Sequence, residues 1–118
     1  MDTVHVFIST GRFHSFDEMR DFVDETYPED EDADANPSPF GREVSQTYYE
    51  PGCIECIHRS PPIPVKKLLA GASYSDQWLS KLKTSELADA AICVFTPNLI
   101  EHPERSSLKY LGAFRYKP

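Results

Sequence analysis

Residues 3–9, TVHVFIS, place Val4, Val6, Phe7 and Ile8 in a stretch that first alternates and then runs apolar, the pattern of a well-buried β-strand. Residues 90–96, AAICVFT, read the same way and stop at Pro97, which cannot donate to a ladder. CIECIHR, residues 53–59, supplies another strand, and SLKYLGAFRY, 107–116, a fourth that Gly112 interrupts. The fold these strands imply is α+β: a single small domain with an about four-stranded, mainly antiparallel sheet and three or four short helices.

The helices are marked by their ends. Ser15 and Glu18 form an S-x-x-E capping box that opens a helix over about 16–24, with Phe16, Met19, Phe22 and Val23 on one face. Ser38 and Pro39 are an N-cap and first-turn proline for a short helix through about Ser45. YYEPG reads as a turn, and SPPIP, 60–64, as extended, because a residue before proline is steered out of the helical region. A helix from Pro64 carries Val65, Leu68 and Leu69 and stops at Gly71. Ser75 is expected to cap a last helix with Trp78, Leu79 and Leu82 on one face, with Leu87 in a following turn.

A chain of 118 residues is one domain on length and can bury a core without staples. No apolar stretch is long enough to span a membrane, and Asp2 stands where a signal peptide carries positive charge. Three cysteines cannot all pair, which points to a reduced cytoplasmic setting.

Charge is the chain's most uneven property. Of 19 acidic side chains, 7 lie between Asp24 and Asn36, a window with no Lys or Arg, and outside it acids and bases balance at 12 each. The net charge of −7 is therefore local. The loop 24–36 has little apolar content and is expected to be solvated. A protein of this kind is a poor ligand for nucleic acid or an anionic membrane and a good one for a basic partner.

The familiar chemistries fit badly. Asp32, Asp34, Asn36, Ser38 and Glu43 fall on ligand positions of an EF-hand loop, but Pro37 occupies the place where that loop turns on glycine. Cys53 and Cys56 form a C-x-x-C, yet two strand residues three apart point to opposite faces, and no second ligand pair or following helix suits zinc or redox work. Gly11 with Arg12 falls short of a phosphate-binding fingerprint, and the histidines and serines belong to no G-x-S-x-G or H-E-x-x-H pattern. The sequence implies no catalytic residue, no metal and no cofactor. Tyr74, Asp76 and Trp78 cluster at a helix start, where they either build the core and cap the helix or face a partner.

The blocks VHVFISTGRF, SFDEMRDFVD, PSPFGREV, YEPGCIECIH, LLAGASYSDQW and ADAAICVF together resemble the immunity protein 22 family, small α+β proteins of bacterial polymorphic toxin systems. The resemblance covers about residues 4–96 and implies an antitoxin that binds and neutralises a toxin domain. The tryptophan and aspartate that stand out in that family would correspond to Trp78 and Asp76. Together with the charge, it makes the expected partner-binding set Glu29, Asp30, Glu31, Asp32, Asp34, Tyr48, Tyr49, Tyr74, Asp76 and Trp78, facing a cognate toxin that is basic if it is a nuclease. A housekeeping domain binding a small ligand or another subunit is the alternative that composition leaves open.

Overall fold

A computed structural model describes residues 1–30 and 32–118. Four strands, β1 (Asp2–Ser9), β3 (Ile54–Pro64), β4 (Leu87–Phe95) and β6 (Lys109–Tyr116), form one sheet in the order β3-β4-β1-β6, with every neighbouring pair antiparallel. Parallel β1 and β3 thus flank β4, and the start of β1 and of β3 lies beside the end of β4 and of β6. A second sheet pairs β2 (Gln46–Tyr48) with β5 (Leu99–Ile100), a ribbon too short to show in the sequence pattern.

Helices cover both faces of the main sheet. The helices α1 (Phe16–Val23) and α2 (Pro39–Val44) bring Met19, Val23, Phe40 and Val44 against Phe7, Ile92 and Val94. On the other face, α3 (Val65–Leu68) and α4 (Ser75–Trp78) bring Val65, Leu68 and Trp78 against Val4, Val6, Cys93 and Phe95. Each strand therefore divides its alternate side chains between two cores, which is why Val4 and Val6 serve one and Phe7 the other. In β4, Ala88 through Phe95 are all buried, as a central strand covered on both faces requires.

Several local expectations hold, and some shift for clear reasons. Ser15 accepts the Glu18 N–H at 3.1 Å, but the Glu18 carboxylate reaches past it to the His14 N–H at 2.6 Å, so the reciprocal half of the box moves one residue outward. Ser38 caps α2 through Gly41 N–H at 2.8 Å. Ser75 is not the cap of α4: Tyr74 takes that place with φ +57°, and the Ser75 hydroxyl donates to the Ala70 carbonyl at 2.9 Å. Both late helices are single turns that tighten into 3₁₀ geometry at Leu69–Gly71 and Leu79–Lys81, and Leu87 opens β4. Gly112, with φ +127°, sits where β6 carries one extra residue opposite Val6 and Phe7, a β-bulge that makes the interruption seen in the sequence.

Candidate functional site

The acidic loop grows out of the end of α1, and that end is firmly tied. Arg20 holds the Asp24 carboxylate through two nitrogens, at 3.0 and 2.5 Å, and donates to the Ile54 carbonyl at 2.6 Å and the Pro51 carbonyl at 3.3 Å. The Tyr49 hydroxyl donates to the same carboxylate at 3.0 Å. Burial, together with the Asp24 charge, pushes the Tyr49 phenol up to about 12. Thr26 and Asn36 then pair through two backbone bonds, at 3.1 and 2.7 Å, and close the loop at its base.

Beyond that bridge Glu29, Asp30, Asp32 and Asp34 are exposed, and none of them makes an ion pair among the described residues. Asp30 turns the chain by accepting the Asp32 N–H at 3.0 Å. Glu31 belongs to the same run in sequence and lies outside the described residues. Tyr27, Tyr48 and Leu99 are all more than half exposed, and Tyr48 and Leu99 are cross-strand partners in the β2–β5 ribbon. The structure thus ties Tyr49 to the start of the acidic loop and leaves Tyr48 exposed on the short ribbon.

Tyr74, Asp76 and Trp78 are placed on the other face of the sheet. Trp78 is fully buried, its indole N–H bonded to the Ser73 carbonyl at 3.1 Å and its ring stacked near Phe114. Asp76 is exposed, and Tyr74 is 41% exposed and stacks on Tyr116 at 4.7 Å between centroids. A cavity of about 260 Å³ opens beside that stack. It is lined by Tyr74, Tyr116, Phe95 and Cys53 with the acidic Asp2 and Glu55, residues far apart in sequence that meet only because four antiparallel strands share one end.

That shared end joins the two halves. The segment from Tyr49 to Cys53 runs from the acidic loop to the cavity and is held by Asn98, which is 5% exposed. Its amide oxygen accepts the Glu50 N–H at 2.8 Å and Gln46 Nε2 at 3.0 Å, while its nitrogen donates to the Glu50 and Phe95 carbonyls at 3.0 and 3.1 Å. Sequence reading missed Asn98, Asp2, Glu55 and Tyr116; the only local signal was the T-P-N-L turn after β4. At the sheet's opposite end stand Arg12 after β1, Lys66 and Lys67 after β3, Lys83 before β4 and Lys109 opening β6, the last paired with Glu86.

The cysteines do not converge. Cys53 packs against the core under α3 and α4 and Cys56 against the core under α1 and α2, with burial pushing the Cys56 thiol up to about 11. No helix among the described residues is long and apolar enough to cross a membrane.

No curated protein and no solved structure gives a significant match to the chain. The family described as Immunity protein 22 matches residues 6–117, including the final strand that the short blocks of likeness left out. With nearly its whole length matched, the chain belongs to the Immunity protein 22 family.

Proposed function

We propose that this immunity protein works in the cytoplasm of a bacterium by binding the toxin domain of a polymorphic toxin one to one, with no catalytic step of its own. Blockade by contact requires affinity and fast capture, and the acidic corner supports both. The observation that carries the reading is that Glu29, Asp30, Asp32 and Asp34 stand exposed and unpaired among the described residues, on a loop closed at its base that carries the exposed Tyr27 and holds the Tyr49 hydroxyl through Asp24. Such a patch speeds encounter with a basic surface, and the tyrosines offer contact area that loses little entropy on binding. A toxin that acts on nucleic acid is a natural match, because its own site is built to receive phosphates.

The test is binding of the toxin domain encoded beside this protein's gene, followed by calorimetry and stopped-flow at low and moderate salt. Tight one-to-one binding is expected. With Glu29, Asp30, Asp32 and Asp34 changed to their amides, the on-rate should fall about tenfold or more and lose much of its salt dependence. An unchanged on-rate moves the interface away from the loop, and no binding overturns the reading.

A further inference from the structure

The cavity beside Tyr74 has a chemistry that the acidic loop does not explain. Asp2 and Glu55 contribute carboxylates, Tyr74, Tyr116 and Phe95 contribute rings, and no Lys, Arg or His is among its described lining residues. Neither carboxylate is neutralised by an ion pair among the described residues. Glu55 is instead aimed: the Ser73 N–H at 3.0 Å and the Ser73 hydroxyl both donate to it, fixing the carboxylate while leaving its charge intact. Tyr116 feels the negative field as well, its phenol pushed up by burial and then by Asp2.

The aromatic wall is held at some cost. Tyr74 has φ +57°, a left-handed conformation that costs a residue other than glycine about 1–2 kcal/mol. It persists because the ring lies on Tyr116, with an interplanar angle of 18°, against the edge of Phe95. The result is a flat ring, partly open to solvent, beside two carboxylates. At about 260 Å³ the space falls just below the usual range for small-molecule pockets, about 300–1,000 Å³, and suits one long side chain.

We propose that this cavity is the receptor for an arginine side chain of the toxin, with the guanidinium stacked on Tyr74 and paired with Glu55 and Asp2. Arginine fits better than lysine because its planar, weakly hydrated head both stacks on a ring and donates in parallel to a carboxylate. The assignment to the toxin rests on the binding role proposed above; the cavity's preference for a guanidinium does not. A seated arginine would make this end of the sheet a second contact beside the acidic loop, one governing residence time more than encounter.

Two experiments separate these claims. Capped peptides carrying a single arginine, lysine or citrulline are titrated into the protein while the amide resonances of Gly52, Ser73 and Tyr74 are followed. The arginine peptide should give saturable shifts that Glu55→Gln abolishes, with lysine weaker and citrulline silent. Equal responses to arginine and citrulline, a lysine response as strong, or no response overturns the guanidinium site whatever the partner proves to be. Toxin-domain dissociation is then measured for wild type, Glu55→Gln and Tyr74→Gly, the last keeping the left-handed backbone without strain. Dissociation at least tenfold faster in both variants, with the on-rate little changed, is expected. Wild-type binding that both variants leave unchanged overturns the arginine contact and leaves the immunity reading standing, whereas a toxin that wild type fails to bind overturns that reading and its extension to this cavity together.

Discussion

The Tyr49 hydroxyl and the Arg20 guanidinium meet on one oxygen of Asp24, at 3.0 and 2.5 Å, so the residue that opens the acidic loop is clamped from two sides. Tyr49 ionises at about 12 in the folded protein and near 10 when unfolded. The folded value is the higher, so the stabilisation from this phenol is complete below about pH 10 and is lost as pH rises through about 12. Tyr49→Phe should cost about 1 kcal/mol at neutral pH and flatten the alkaline loss of stability, both read by urea denaturation across pH.

Trp78 separates structural weight from surface contact. With its ring fully buried, Trp78→Ala should cost about 3–5 kcal/mol, and Trp78→Phe less while leaving the Ser73 carbonyl without its donor. Because Ser73 positions Glu55, Trp78→Phe should also displace the Ser73 amide resonance, while the resonances of the acidic loop stay in place.

Asn98 makes four hydrogen bonds with one side-chain amide. Asn98→Ala strands the Glu50 N–H, while the Glu50 and Phe95 carbonyls lose one donor each but keep the backbone N–H of Cys53 and of residue 98, for a loss of about 1–3 kcal/mol. Asn98→Asp places a carboxylate against those carbonyls, so at neutral pH it should be at least as damaging. Part of the loss should return on acidification, when the protonated group can donate once, and thermal unfolding at two pH values reads the difference.

Gly41 lies inside α2, where alanine ordinarily gains about 1 kcal/mol. Here a Cβ would stand 3.0 Å from the capping Ser38 hydroxyl and 3.2 Å from Gln46 Oε1. Gly41→Ala should therefore destabilise the protein, and a raised melting temperature would contradict the packing described for this cap.

Of the three thiols, a neutral reagent should modify Cys53 first. Cys56 is raised to about 11 and Cys93, fully buried, is raised further. Mild oxidation should yield no Cys53–Cys56 disulfide, because the two side chains enter different cores; mass spectrometry of the native protein resolves both points.

What could be read in advance followed the range of the interactions. β1, β4 and the caps at Ser15 and Ser38 are written in neighbouring residues, by alternation and by a hydroxyl three positions ahead of an N–H, and all of them form. The turn at Tyr74 was legible only as a helix start, because nothing local reports that stacking on Tyr116 can hold a tyrosine in the left-handed region. The β2–β5 ribbon and the Asn98 junction join residues about fifty positions apart, and the cavity gathers Asp2, Glu55 and Tyr116 from three strands. Cys53 and Cys56 do face different cores, but not by strand alternation alone: β3 begins at Ile54, and Cys53 closes the 3₁₀ turn Pro51–Cys53 that precedes it. The bond from Tyr49 to Asp24, and the grouping of Tyr74 with Glu55, required the topology.

The arrangement of charge along the strands has a physical effect of its own. The unpaired carboxylates of the acidic loop, with Asp2 and Glu55, lie where β1 and β3 begin and outweigh Arg115 and Lys117 there, whereas acids and bases are mixed where those strands end, so the molecule carries a permanent electric dipole as well as a net charge. The field of a positively charged partner then exerts a torque on it at distances where no atoms touch, turning the acidic end forward during approach. A rearranged protein with the same net charge and an even distribution would be attracted as strongly but would arrive in random orientation, and more of its collisions would be wasted.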